Sequence, residues 1–469
     1  MLNQKNIFLL TAFFLLFSHV IYAEDSGTIT SPSLTFYGEE FVVEAPKPEP
    51  KDEVVISKET VAADQIKDSS VSLFNDLAET LKTLPGVITP GNFSGAMFVR
   101  GGFPMETIYM LDRVFIDWPY RWGGMMTMFN TRLIDEVDFY AGGFPAEGGN
   151  SLAGCIDIRY KKGDLHKFSG LFDISPTTTE LFLEGPIKKE ESSYLFSAKR
   201  TFYDFLAKFF TDRKESNVFP FFNDSFSKLY FDLSPRHKLT VFGVYAGEGM
   251  DMKKLTEEDE PEASGGTFNY DYQMGILGVD HKWIPTEKLF LQTTLSYKID
   301  KGNFNFHHPE YSWQEKMKPI DTNLRSDVDW QVTPSHKLRI GTYLSNNDLN
   351  FNGKMESEII SGTATGNLTR GTKTDQYDLN KDAKYMGFYV WDRWSINSQL
   401  TADIGLRHER LDLVHDTALT PRLSLKYDIS DKTSLKLAYA HNSQFPTNIY
   451  WIDENIGNPN LKSQKGIDY

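Results

Sequence analysis

The densest group of side chains able to bind something is Asp117-Trp118-Pro119-Tyr120-Arg121-Trp122-Gly123-Gly124. Indole and phenol rings stack on a ligand at little entropic cost, and a guanidinium grips a carboxylate or phosphate through paired hydrogen bonds. Trp118, Tyr120, Arg121 and Trp122 are therefore candidate ligand-binding residues. The competing reading is that Trp118 and Trp122 pack one part of the protein against another, and the sequence leaves both open. His307-His308 beside Glu310 offers transition-metal ligands, yet two adjacent residues seldom complete a site, and no metal is expected. The run Glu257-Glu258-Asp259-Glu260 reads as a solvated acidic face. Cys155 is the single cysteine, which excludes an intramolecular disulfide and a cysteine-based zinc cluster. In Ala153-Gly154-Cys155-Ile156-Asp157-Ile158 it reads as a small buried hydrophobe in a strand. The sequence carries no nucleophile elbow, no phosphate-cradling loop and no helical metal motif. Neither enzyme chemistry nor a cofactor is expected.

Such residues need elements to position them, and the second half of the chain supplies a repeated one. Five tight turns, Phe231 to Leu239, Trp283 to Leu289, Trp330 to Leu338, Trp394 to Leu400 and Tyr427 to Leu435, share a form: an aromatic before the turn and a leucine opening the next strand. After each leucine an apolar or small residue recurs at every second position, as in Leu289, Leu291, Thr293, Leu295, Tyr297 and in Leu400, Ala402, Ile404, Leu406. Between them stand Lys238, Thr240, Arg339, Gly341, Asp403 and Arg407. A period of two with one apolar face suits a strand between lipid and a wet lumen. Strands of soluble sandwiches are shorter, about 5 or 6 residues. Polar stretches at 203–223, 248–268, 302–317 and 351–382 read as long loops alternating with the tight turns, which puts the turns on the periplasmic side. About thirteen strands are expected, the last near Lys432 to His441, with a fourteenth beginning at the end of the chain.

Composition is compatible with this. The chain has 469 residues, is 14% aromatic and carries a net charge of −15, which argues against a nucleic-acid partner. Lys5, the apolar run Ile7 to Phe17 and Ala23 before Glu24 have the three parts of a secretory signal, residues 1–23. The run is shorter than the roughly 20 residues of a membrane-spanning helix. An exported chain without such a helix is soluble or an outer-membrane barrel.

Residues 24–50 are polar and contain Pro46-Lys47-Pro48-Glu49-Pro50, so they read as extended. Within them Glu39, Glu40, Phe41, Val42, Val43, Glu44 and Ala45 form a β-prone stretch able to add as an edge strand to another protein, or a chance apolar patch in a linker. Lys51 to Ser57 reads as a first strand. Ser72 can cap a helix on which Leu73, Leu77, Leu81 and Leu84 recur at helical spacing, and Pro85-Gly86 ends it.

Leu84-Pro85-Gly86-Val87, Val99-Arg100-Gly101-Gly102, Tyr109-Met110-Leu111-Asp112, Ile134 to Tyr140 and the glycine-dense Ala141 to Gly149 follow one another in an order that resembles the plug domain of TonB-dependent outer-membrane receptors. The resemblance implies a membrane all-β fold: an antiparallel transmembrane β-barrel of about 22 strands, of which about 13 to 14 would be present, around a small α+β plug. It divides the chain into an extension at 24–50, a plug at 51–163 and a partial barrel at 164–469. Gly457-Asn458-Pro459-Asn460-Leu461-Lys462 is similar to a family motif that lies well before the C terminus, so the chain reads as a shortened version.

By the same resemblance, Glu39 to Ala45 is the TonB box, the partner is a TonB-type inner-membrane energy transducer, and the ligand is a scarce extracellular nutrient of siderophore, cobalamin, glycan or peptide class. The surroundings would be outer-membrane lipid. Arg100 would anchor plug to barrel. Two departures stand out: Leu111-Asp112-Arg113 lacks the usual glycine of that turn, and Ala141-Gly142-Gly143-Phe144-Pro145 lacks a second anchoring arginine. The rival function is a surface binding or adhesion protein without energised transport.

Overall fold

Two sequence patterns give two kinds of sheet. In the computed structural model, which describes residues 58–63, 65–66, 76–91, 94–175, 178–202, 220–253, 266–308, 310–362, 368–430, 432–446, 452, 454 and 457–469, short apolar runs punctuated by glycine build the plug. Its strands are β1 (Lys58–Ala62), β2 (Val87–Ile88), β3 (Phe98–Val99), β4 (Thr107–Leu111), β5 (Val114–Ile116), β6 (Tyr120–Arg121), β7 (Met126–Thr127), β8 (Ile134–Tyr140) and β9 (Gly154–Tyr160). Five of them form a sheet in the order β1-β8-β9-β4-β5, parallel only between β4 and β9. A helix, α1 (Leu77–Leu81), buries Leu77 and Leu81, and the Asp76 carboxylate caps it by accepting from Ala78 N at 3.2 Å. The cap expected at Ser72, the strand expected at 51–57, the signal segment and the Glu39 to Ala45 stretch lie outside the described residues. Cys155 is buried in β9, and burial pushes its thiol pKa up.

The long alternating runs form one fifteen-stranded antiparallel sheet. Its strands are β10 (Ser169–Ile174), β11 (Thr178–Lys188), β12 (Ser192–Thr201), β13 (Phe221–Ser234), β14 (His237–Lys253), β15 (Thr267–Thr286), β16 (Leu289–His307), β17 (Tyr311–Met317), β18 (Ile320–Thr333), β19 (His336–Gly362), β20 (Leu368–Ser395), β21 (Leu400–Leu411), β22 (Asp416–Ser430), β23 (Thr433–Gln444) and β24 (Gln464–Asp468). Consecutive strands pair, except that β17 and β18 are successive parts of one pass and both lie between β16 and β19. All five tight turns fall between paired neighbours. Trp283, Trp330, Trp394 and Tyr427 near them are exposed on the outer face, where an interfacial girdle belongs. No described helix is long and apolar enough to cross a membrane.

On the outer face near the tight turns stand Leu277, Leu295, Tyr297, Ile340, Ile404 and Leu406, all exposed. On the inner face of the same strands are Thr294, Ser296, Lys298, Asp403, Arg407 and Glu409, all buried. Inside and outside are thus reversed relative to a soluble protein, as lipid requires.

The stretches read as loops are in large part strand: 302–307, 311–317, 351–362 and 368–382 are extended. A tilted strand crosses the hydrocarbon core in about 9 to 11 residues, so β15, β16, β19 and β20, with 20, 19, 27 and 28 residues, run on beyond it. Past the lipid the alternation reverses. On β16 the outward positions become Lys301, Asn303 and Asn305 and the inward ones Phe304 and Phe306; on β15 they become Asn269, Asp271 and Gln273 outside and Phe268, Tyr270 and Tyr272 inside. Without an outer apolar face the composition imitates a loop.

Candidate functional site

The Asp117 to Met125 loop is built on a short hairpin in which Tyr120 pairs with Thr127 and Arg121 with Met126. Trp122, Gly123 and Gly124 turn it at φ of 49°, 68° and 108°, a left-handed path that two glycines make accessible. Trp118 is 37% exposed, whereas Tyr120, Arg121 and Trp122 are buried. The Tyr120 hydroxyl lies 3.0 Å from that of Tyr109, and the Trp122 ring packs on Phe222 of β13. Arg121 is paired with Asp224 on β13. The sequence offered these four as candidate ligand-binding residues and left packing open for Trp118 and Trp122; in this conformation Tyr120, Arg121 and Trp122 pack and attach plug to wall, and Trp118 alone of the four is exposed. Their bulk and charge made them stand out, and those same properties suit a buried contact.

One stretch of the plug, 112–122, meets the wall through side chains. The β4–β5 turn is made at Asp112 and Arg113 with φ of 46° and 71°, without the family glycine. Lys228 Nζ lies 2.9 Å from the Asp112 carboxylate and donates to Tyr160 O at 2.6 Å. Burial raises the Asp112 pKa more than Lys228 lowers it. Arg113 donates to Thr294 Oγ1 at 2.7 Å and pairs with Asp327 at 2.7 Å, so its side chain ties a backbone that an arginine disfavours. Asp117 pairs with Lys298, which also reaches Asp321 at 2.7 Å and Asp300 at 3.7 Å. These three carboxylates are close enough together to hold a cation, and the ammonium of Lys298 sits among them.

A second stretch, 143–150, meets the wall through backbone. Arg422 donates to Phe144 O at 3.0 Å and to Pro145 O; Arg407 donates to Ala146 O at 3.2 Å and Glu147 O at 3.3 Å. Arg407 is fully buried and fixed by Glu409 at 2.9 Å and the Tyr385 hydroxyl at 3.1 Å. Gly149 lies against Arg407 and Glu409, where a Cβ would collide with both. Arg339 donates to the Glu147 carboxylate at 2.5 Å. Burial opposes the charge on Glu147, but Arg339 and then Arg325 outweigh it and hold its pKa below the ordinary value. Asp468 of β24 accepts from Gly143 N at 2.8 Å. The arginine missing from the plug at this point is supplied, with reversed roles, by the wall.

Arg100, expected to anchor the plug, is exposed in a tight turn at φ 50°, and its side chain makes no ion pair with the described residues. It comes up against Gly142, as does Asp468. The Arg100 Nη1 and the Asp468 carboxylate each lie 2.9 Å from where a Cβ of Gly142 would stand, so the guanidinium lies near that wall carboxylate without forming an ion pair with it. His307 and His308 do not share a site: adjacent residues of a strand end diverge, and His308 accepts from Glu310 N at 3.2 Å. Arg339 and Arg407 were legible as charges on a wet strand face, but Arg422, Lys228 and Lys298 carried no sequence signal beyond being charged residues in a β-rich stretch.

Residues 50–155 match the TonB-dependent receptor plug domain, and residues 200–469 match the TonB dependent receptor-like β-barrel. Among solved structures, the chain is similar to a variant of the ferric enterobactin receptor PfeA from Pseudomonas aeruginosa, with a TM-score of 0.63 and 16% identity over 88% of this chain and 68% of that one. The unliganded ferric citrate transporter FecA gives a TM-score of 0.64 and 14% identity over 87% and 66%. The outer membrane transporter YddB from Escherichia coli gives 0.58 and 14% over 83% and 61%. No curated protein matches the sequence significantly.

Proposed function

The chain belongs to the TonB-dependent receptor family of outer-membrane transporters, and from that premise we infer that it imports an extracellular ligand by energised displacement of its plug. The observation that carries this reading is how the plug is held. A sheet whose apolar core continues into wall residues such as Phe226, Val244 and Tyr270 is also tied to the wall by ion pairs and by arginine-to-carbonyl hydrogen bonds, polar contacts that water can replace as the plug shifts. The ligand meets the loop that carries Trp118; Glu39 to Ala45 adds as a strand to an inner-membrane TonB-type transducer; a pull on that strand moves the plug and the ligand passes. The transported compound is a scarce nutrient of siderophore, cobalamin, glycan or peptide class.

Deletion of Glu39 to Ala45 tests the mechanism. Retained ligand binding with lost uptake is the expected result; unchanged uptake would favour the surface-binding reading instead. Trp118→Ala is expected to weaken binding without unfolding the plug, because the side chain is partly exposed.

A further inference from the structure

The wall is uneven at the end away from the tight turns. β19 and β20 pair without a bulge from His336 with Trp394 to Gly362 with Leu368, while β21, the other neighbour of β20, stops at Leu411 opposite Tyr385. Asp412 closes that ladder: its N–H donates to Lys384 O at 3.1 Å, and its carboxylate accepts from Lys384 N at 2.6 Å. Beyond Lys384 one edge of β20 stands open.

The register says which groups that edge presents. Along an antiparallel strand the N–H and C=O of successive residues point to opposite neighbours, and those of Lys384 point toward β21. Those of Asp382, Asn380, Asp378, Gln376 and Thr374 point the same way and have no backbone partner among the described residues. All five residues are exposed. The open stretch is about 30 Å long. Long edges are normally blunted by a bulge, a proline or a repelling lysine. This one has neither bulge nor proline, and Lys373 and Lys381 are engaged with Asp375 and Glu454.

The two faces beside the edge differ. On the inner face Leu379 and Ala383 are buried in one apolar group with Val414, from the connection between β21 and β22. Along β20 the outer face carries Asp378, Asp382 and, at its lower end, Lys384; Asp348 of β19 stands opposite Asp382. None of these three aspartates is in an ion pair among the described residues.

We propose that the edge of β20 from Thr374 to Asp382 docks an extended segment of an extracellular partner protein, added as a further strand with basic residues at its outward positions and apolar ones at its inward positions. Backbone pairing supplies affinity, and the acidic outer face and apolar inner group set the register. The added strand fills the step between the tall β19–β20 hairpin and the low β21–β22 hairpin. It continues the wall instead of entering the lumen, so the occupant is held and not carried through, and the assignment does not depend on transport.

A capped nine-residue peptide of alternating lysine and valine tests it, titrated by fluorescence anisotropy into the full chain in uncharged detergent. N-methylation of the peptide's backbone amides should weaken binding at least about tenfold, and exchange of its lysines for glutamate should weaken it as well. Asp378→Asn combined with Asp382→Asn should cost about fivefold. Asn380→Pro removes an outward N–H that β19 does not use; it should lower affinity about tenfold with circular dichroism unchanged, whereas Asn380→Ser should bind normally. The proposal is overturned by equal binding of the methylated peptide, by equal binding to a natively folded Asn380→Pro chain, or by no binding of the lysine peptide; the first and last use the unaltered protein. Self-association in light scattering that Asn380→Pro abolishes would assign the edge to a second copy and overturn it too.

Discussion

The plug meets the wall in two ways, and the difference is one of redundancy. Along 112–122 both partners offer side chains of both signs, and several charges share each contact: Lys298 has three carboxylates, and Arg113 has Asp327, Asp280 and Thr294. Along 143–150 the plug offers mainly carbonyl oxygens, and each depends on one wall arginine. A shared charge network tolerates the loss or rotation of one member. A forked guanidinium on successive carbonyls does not, because it reads the backbone path of the loop as well as its charge.

The sharpest way to break this contrast is Arg407→Ala. It strands the carbonyls of Ala146 and Glu147 and leaves Glu409 buried without its cation, with Tyr385 and Ser443 its remaining donors among the described residues. Loss of one partner of a buried pair costs about 3–5 kcal/mol. A fall of that size in unfolding free energy, followed by tryptophan fluorescence in urea, is expected, and a change below about 1 kcal/mol would show that the grip is dispensable. Arg407→Lys should recover less than half, since an ammonium cannot fork.

Arg113→Gly should act less strongly, because two effects oppose. Glycine relieves the left-handed φ of 71°, worth about 1–2 kcal/mol. The substitution also strips Asp327 of one partner and removes the bond to Thr294, and the buried charge wins, for a net loss of about 2 kcal/mol. A double-mutant cycle with Asp327→Asn checks this; a stabilised Arg113→Gly protein would mean that the ion pair contributes nothing. Asp117→Asn should be smaller still, below about 1 kcal/mol. The Asp117 carboxylate is 75% exposed, and Lys298 keeps Asp321 and Asp300.

The same contrast separates what could be read from sequence. The five hairpins and the lipid-facing series were legible because one periodic face repeats over many residues, and lipid leaves no other explanation for it. Arg407 was visible as an inward charge, yet its target was not, since a carbonyl carries no residue identity: nothing in Phe144-Pro145-Ala146-Glu147 announces that wall arginines bind its backbone. The upper halves of β16, β19 and β20 were misread because Asn303, Asn305, Asn350 and Asn352 face water there and removed the apolar signal. The partner of Arg121 was hidden for a different reason. The arginine's charge was obvious, but Asp224, the residue that occupies it, lies 103 positions away.

The two contacts also separate in pH. Burial raises the Asp112 pKa, so the folded protein binds that proton more readily than the unfolded chain does; the ionised form is a liability at neutral pH that is relieved as pH falls to the raised value. Glu147 is the reverse case. Its depressed pKa stabilises the fold at neutral pH, and that contribution is lost only as pH falls through the lowered value. On acidification Asp112 should therefore protonate first, above the usual carboxylate range of about 4, and give up its charge pairing with Lys228 while Arg339 still holds Glu147. Carbon-13 carboxylate shifts followed through a titration, with Asp112→Asn and Glu147→Gln to assign the signals, read the order directly. If Glu147 titrates before Asp112, the arginines of the wall do not dominate its surroundings, and the distinction between a shared network at 112–122 and a dedicated grip at 143–150 fails at its charged member.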